Sequence, residues 1–418
     1  MTYNKKKIAL VKAPDGEFFG NVINNKDVDP RTSYSYTKPL ISTALSLLYG
    51  FIEEYGGEHY DVIVKDFQIE RRVVMDYIEN NWPREVVLAY ADFYKWQFES
   101  MPFDNSDHSI IVVDSKDRIC GYLGLNIHEF VYEVERLKGA ELTTWIIDRK
   151  NRGGGFAKPM IEFAKSNFDF LLGASVTKDA LSVYLRLGFN YVHSIPRFVK
   201  ILNFNKITKF LKIESFVKKA FRERKEKTSG SVKEYKSVSN INEFSFEIKN
   251  GFSRSKEYLK WRYSDHPVYE YKFFGNKDLL IVYRIEHVND IKVAIILDFL
   301  VNEIVNNDKA SVSLSEFSLF CCKGQVDLIE FYCLDSKINK FFISNGYIPT
   351  LEMAPFLKIP FLYNPVEYTN NNSYSLVVWD NDKSPKLKNF SNLYVTKSDC
   401  DMDRPNLEYI KKINHEFS

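Results

Sequence analysis

The stretch DRKNRGGGFAKPM, residues 148–160, sets a basic cluster and three consecutive glycines between two regular segments. Before it, ELTTWIID (141–148) is an apolar run with the β-branched content of a strand; after it, FAKPMIEFAKSNF carries apolar residues at helical spacing. Pro159 falls in the first turn of that helix, where its missing amide hydrogen costs little. Glycine in a row sacrifices backbone entropy, so such a run serves a conformation or a close approach that a Cβ would block. Bare amides at a helix start, flanked by Arg149, Lys150 and Arg152, make a seat for an anion.

Outward from the loop, the pattern is one of alternating strands and helices. IIVVD, a tight SKD turn and RICGYLGLNIHEF read as a hairpin ahead of it, and EVVLAYAD further upstream reads as a strand. After it come the strand FDFLLGASV, the helix KDALSVYLRLG and one strand over FNYVHSIPRFVKIL. A basic helix then runs into RERKEKTSGSVKEYKS, the clearest linker in the chain. Beyond it the sequence echoes itself. KWQFESMPF (95–103) aligns with KWRYSDHPV (260–268), each is followed by a strand hairpin, and YLRLGFNYV (184–192) aligns with FISNGYIP (342–349). The second copy has no glycine-rich basic loop and carries Phe342 where the first has Tyr184. The expected organisation is an N-terminal extension over 1–58, a first unit over 59–203, a helix and linker over 204–240, and a degenerate second unit with a tail over 241–418.

Two elements in this order, Arg152-Gly-Gly-Gly-Phe-Ala157 and Ala180-Leu-Ser-Val-Tyr184-Leu-Arg-Leu-Gly188-Phe189, resemble the pyrophosphate loop and the tyrosine helix of the GCN5-related N-acetyltransferase superfamily. The resemblance covers residues 60–200 well and 241–360 faintly. It implies an α/β fold with a mixed α+β sheet in each of two tandem domains, the second degenerate. It also implies an acyl-CoA site, for acetyl-CoA or a longer acyl or hydroxyacyl-CoA, with no metal. The loop Gly153, Gly154, Gly155, Phe156 and Ala157, with Ile147, Arg149 and Arg152, would hold the CoA pyrophosphate. Thr177 would make a further contact, at a position where many members have Asn. ELTTWIID and FDFLLGASV would splay apart to admit the pantetheine arm. Tyr184 would be the general acid, since a phenol stays protonated at neutral pH while a departing thiolate needs a proton. The base is left open among His128, Glu129 and His193.

Tandem units of this kind, one loaded and one stripped, resemble acyltransferases of nucleotide-linked amino sugars for surface polysaccharide. Trp96, Trp261, Tyr263 and His266 are then the rings available to stack on a sugar or base. Two other classes stay open: a peptidoglycan-type transferase that uses aminoacyl-tRNA, and a catalytically dead binding protein. Composition favours neither a nucleic acid nor a membrane. The 418 residues are 45% hydrophobic and 27% charged with a net charge of +2, and the longest apolar stretch, 39–51, is short of the roughly 18 residues a span needs. Five cysteines without CxxC spacing and seven scattered histidines point to a reduced, cytoplasmic protein without a metal. A monomer or a homodimer fits equally.

Overall fold

The computed structural model describes residues 71–83, 85–113, 118–152, 155–211, 232–241, 246–288, 290–302, 308–350, 374–381, 390–399 and 401–405. In the expected N-terminal extension it describes only a short antiparallel pair, β1 (Leu10–Lys12) and β2 (Phe18–Gly20). The rest of residues 1–58 lies outside the described residues, as do Gly153 and Gly154.

The first unit begins with α1 (Arg71–Asn81) and α2 (Ala91–Glu99). EVVLAYAD is not a strand: it forms a 3-10 turn over Val87–Ala89 and the start of α2. The apolar residues that follow it recur at helical spacing, with Phe93, Trp96 and the pair Tyr94 and Phe98 all buried on α2, and that three-to-four spacing overrides the short β-branched run. A hairpin follows, β3 (Ile110–Val113) with β4 (Ile119–Tyr132), then β5 (Glu135–Ile147), α3 (Ala157–Asn167), β6 (Phe170–Ala174), α4 (Lys178–Arg186) and β7 (Asn190–Val192). Gly124 is needed on β4, because a Cβ there would come within 2.9 Å of the Phe98 ring that α2 lays on the strand.

The segment FNYVHSIPRFVKIL divides into two strands that enter different sheets. β7 joins the first sheet, whereas β8 (Arg197–Ile201) leaves for the second. After α5 (Phe204–Leu211) and β9 (Lys233–Tyr235), the short β10 (Asn250–Phe252) returns to pair with β4. A short helix α6 (Lys256–Leu259) leads into a π turn at Lys260–Ser264. β11 (Lys272–Gly275), β12 (Leu279–Val288), β13 (Ile291–Val301), α7 (Asp308–Lys323), β14 (Leu328–Tyr332), α8 (Ser336–Ser344) and β15 (Ile348–Thr350) repeat the order of the first unit. β16 (Leu376–Asp380) then crosses back to lie between β6 and β7.

The strand orders are β10-β4-β5-β6-β16-β7, with β3 on β4, and β15-β8-β14-β13-β12-β11-β9. Each sheet therefore holds a strand from the other half of the chain: β8 sits between β14 and β15 as β16 sits between β6 and β7. The stretches 59–203 and 241–418 do not each build a sheet of their own. Partner choice between sheets depends on long-range packing, which local patterning does not report.

The two halves meet at their matching tryptophans. Trp96 and Trp261 stack with ring centroids 5.2 Å apart and planes 17° from parallel. Each indole N–H donates to the other's backbone carbonyl at 2.9 Å. This reciprocal exchange is what a local two-fold relation between duplicated halves produces. Truncating either ring, Trp96→Ala or Trp261→Ala, should cost about 3–5 kcal/mol in chemical denaturation. The double variant should lose less than the two single losses combined, because both remove one shared contact.

Candidate active site at the parting of β5 and β6

β5 and β6 run parallel and pair from Gly139↔Phe170 to Leu142↔Gly173, where their ladder ends. Past that point β5 continues to Ile147 against β4 alone, while β6, paired with β16 along its whole length on its other edge, ends one residue later at Ala174. A bulge on β5 accompanies the parting. The register with β4 jumps from Tyr122↔Ile146 to Gly124↔Thr143, and Thr144 is held at φ 50. A β-branched residue at positive φ is strained, and bulges of this kind re-aim backbone groups beside active sites. The result is a stretch of β5 from Thr143 to Ile147 that has no β6 partner, a break in the sheet termed the slot.

On one side of the slot lie α4 and the glycine loop. Asp148 anchors the end of β5, its amide donating to Cys120 O at 3.1 Å, and a 3-10 turn over Arg149–Asn151 follows. Arg149, Lys150 and Arg152 are exposed; Arg152 Nε donates to Ile147 O at 3.2 Å, and Lys150 lies 3.5 Å from Asp148. Gly155 takes φ +77, a conformation that admits glycine without strain, with open space where a Cβ would stand. Phe156 is buried and heads α3, which has no side-chain cap and no acid in its first turn. The first-turn amides of α3 and the three cations give this end a positive field.

Tyr184 comes from α4 and is 4% exposed, its ring 5.1 Å from Trp145 of β5 and 4.9 Å from Phe189. The sequence motif thus places its tyrosine against the parted segment of β5. Thr177 serves the helix itself, since its hydroxyl accepts from Ala180 N at 3.3 Å and caps α4.

On the other face of the sheet, where α2 and the second unit pack, β4 and β5 present Asn126, His128, Glu141 and Thr143, all buried. Asn126 Nδ2 donates to Glu141 Oε2 at 2.7 Å. Arg404 arrives from the far end of the chain and donates to Thr143 Oγ1 at 2.9 Å and Gln97 Oε1 at 3.3 Å. Glu141 is the residue that sequence reasoning missed. Its signal was present as a lone acid opening the otherwise apolar run ELTTWII, on the face opposite Leu142. Arg404 left no such signal, since its partner lies 261 residues away.

The expected bases fare differently. Glu129 points out of the site and is ion-paired with Arg136. His193 follows β7, two strands from β6 across β16, or roughly 10 Å at ordinary strand spacing, and its Nδ1 is 3.4 Å from the Tyr191 hydroxyl. His128 does border the site, but burial, with Arg254 and Arg262 close by, pushes it down to about 3. A ring that sheds its proton so readily is a neutral hydrogen-bonding group and not an effective base.

The rings expected to stack on an acceptor are engaged with one another. Trp96 and Trp261 cover each other's faces, and His266 stands edge-on to Trp96 at 4.4 Å. His266 Nδ1 accepts from Val268 N and Tyr269 N at 3.1 and 2.8 Å, and the Tyr263 hydroxyl donates to Asp298 at 2.5 Å. These four residues belong to the junction between the halves.

The second unit has the same parting and closes it. β13 and β14 pair in parallel from Val293↔Leu328 to Ile296↔Phe331, and β13 is also bulged where the first unit's β5 is. Tyr394 Oη accepts from Phe299 N at 3.0 Å and donates to Asp298 at 2.9 Å, while Leu334 N donates to Val395 O at 3.0 Å. The chain's own residues 394–396 thus bond to β13 and to Cys333 and Leu334, just past the end of β14. Phe342, at the position of Tyr184, stacks on Phe331 with centroids 4.5 Å apart.

No family model and no curated protein sequence matches the chain. Among solved structures it is similar to N-myristoyltransferase of Saccharomyces cerevisiae with bound myristoyl-CoA, at 11% identity and a TM-score of 0.43 over 80% of this chain and 88% of that one. It is similar to a GCN5-related N-acetyltransferase from Anabaena variabilis, at 11% identity and a TM-score of 0.46 over 75% of this chain and 71% of that one. Eis1 from Mycobacterium abscessus aligns at 11% identity and a TM-score of 0.42 over 65% of this chain and 64% of that one. Among the described residues there is no group of acids, histidines and cysteines able to hold a metal ion, and no helix is long and apolar enough to cross a membrane.

The neutral state of His128 has a measurable consequence. An unfolded histidine titrates near 6.5. With the folded value near 3, its contribution to stability is complete above about pH 6.5 and is lost as pH falls from there toward 3. Denaturation at about pH 7.5 and about pH 4.5 should show a loss on acidification that is smaller in His128→Phe, by on the order of 2 kcal/mol.

Proposed function

We propose that this chain is an acyl-CoA-dependent N-acyltransferase whose chemistry takes place in the slot between β5 and β6. The observation that carries the reading is the parting of that parallel pair after Leu142 and Gly173, with Tyr184 and the basic loop on one side and a buried carboxylate on the other. The sequence resemblance of the loop and the tyrosine helix to the GCN5-related superfamily supports the same reading.

Arg149, Arg152 and the amides at the start of α3 hold the diphosphate of acyl-CoA. The edge of β5 beyond Leu142, left without a β6 partner, takes the pantetheine amides as a further strand would be taken. The amine enters from the Glu141 side. Glu141 accepts a proton from the ammonium and releases it to solvent, the nitrogen attacks the thioester carbonyl carbon, and the carbon–sulfur bond breaks as Tyr184 gives its proton to the departing sulfur. Glu141 then takes the second nitrogen proton as the amide forms, and water reprotonates the Tyr184 phenolate. No covalent enzyme intermediate is needed, because both reactants reach the slot from opposite faces. The acceptor class is an amino sugar, nucleotide-linked and serving surface polysaccharide; the second unit, its own slot closed by residues 394–396, provides a wall for a bulky acceptor.

Calorimetry with CoA and release of CoA thiol in the presence of amines test this together. Tyr184→Phe should lower kcat by about 10²–10⁴-fold with little change in CoA affinity. Glu141→Gln should do the same and remove the acid limb of the pH–rate profile. An absence of CoA binding, or full turnover by both variants, would overturn the proposal.

A further inference from the structure

Two polar atoms on the acceptor face have no hydrogen-bond partner among the described residues. They are His128 Nδ1 and Asn126 Oδ1, each essentially out of contact with solvent. Both residues stand on the same face of β4, two positions apart, and both line a cavity of about 30 Å³ shared with Glu141 and Arg262. Buried polar atoms are nearly always satisfied, so two orphans bordering one small cavity mark a place where a polar group, an ordered water or the head of a ligand, is received. The volume suits one or two polar head groups.

The chemistry of the wall defines those groups. Asn126 Nδ2 is already engaged with Glu141, which fixes the amide so that Oδ1 is left as an acceptor. An acceptor oxygen beside a carboxylate receives N–H donors and therefore fits the amine that Glu141 deprotonates. His128 offers one nitrogen that donates and one that accepts, whichever tautomer it holds. Phe252 and Tyr258 pack against its ring, at 4.5 and 5.8 Å, and keep it in place. A hydroxyl, which both donates and accepts, serves either ring nitrogen in either tautomer, and Arg262 adds a guanidinium donor to the same wall.

Resting on the acyltransferase reading, we propose that Asn126 and His128 form a subsite for a 1,2-amino alcohol unit, with the amine on Asn126 and Glu141 and the neighbouring hydroxyl on His128. Neither residue takes part in the bond changes. They select an acceptor that carries a hydroxyl next to its amine, and they discriminate against a plain alkylamine because that would leave His128 unsatisfied.

Ethanolamine and propylamine are the probes, since they match in size and differ by a hydroxyl against a methyl. The full-length protein with acetyl-CoA is assayed by thiol release, and kcat/KM is taken for each amine in wild type and in His128→Phe, a replacement that keeps a flat ring in an aromatic nest. The differing basicities of the two amines cancel when the ratio in one protein is divided by the ratio in the other. The expected result is a preference for ethanolamine at least about tenfold greater in wild type than in His128→Phe, with CoA affinity unchanged by calorimetry. Asn126→Ala should raise KM for both amines together. Equal ratios in the two proteins, or turnover of neither amine by wild type that binds CoA, would overturn the subsite. Failure of wild type to bind CoA would instead remove the acyltransferase reading beneath it.

Discussion

The slot depends on a constraint in one strand. β5 must pair with β6 long enough to place Glu141 and then leave it, and the bulge with Thr144 at positive φ marks where it does so. Had the ladder run on to Ile147, the sheet would be closed and its two faces chemically separate. Because it stops at Leu142, the proposed reaction has an opening at which an amine from the α2 face and a thioester from the α4 face can meet. Everything else at the site, from the uncapped start of α3 to the capped α4 that holds Tyr184, is arranged around that opening.

The two halves show the same backbone device put to different uses. β13 is bulged and leaves β14 as β5 leaves β6, yet Tyr394 bonds to β13 and its neighbour Val395 to Leu334 just past β14, and Phe342 replaces the hydroxyl-bearing ring. The segment that closes the second slot runs on through Ser398 and Asp403, fastened by Arg254 and Arg284, before Arg404 reaches Thr143 at the first. The second half therefore contributes in two ways: it stacks Trp261 on Trp96, and it anchors the stretch of chain that brings Arg404 to Thr143 and Gln97.

What was legible in the sequence was local. A glycine run after an apolar strand, and a tyrosine four residues before a glycine, report backbone conformation and helix register directly: Gly155 does take a positive φ ahead of α3, and Tyr184 does lie on α4, while Gly153 and Gly154 lie outside the described residues. The paired Trp motifs disclosed the duplication for the same reason, although burial and mutual stacking turned those rings into core. Glu141 was readable only as an oddity, since whether a lone acid on a strand faces water or a cleft depends on what covers that face. Arg404, Gln97 and the exchange of β8 for β16 were not readable, because each is a contact between residues far apart whose individual chemistry is ordinary.

The exchange of strands bears on how the protein comes into being. β6 cannot acquire its neighbour β16 until about 200 further residues have left the ribosome, which at roughly 5–20 residues per second is on the order of ten to forty seconds. Through that interval the nascent first half carries an unpaired apolar edge at the very strand that borders the slot, and a cell making this protein must keep that edge from sticking to its neighbours.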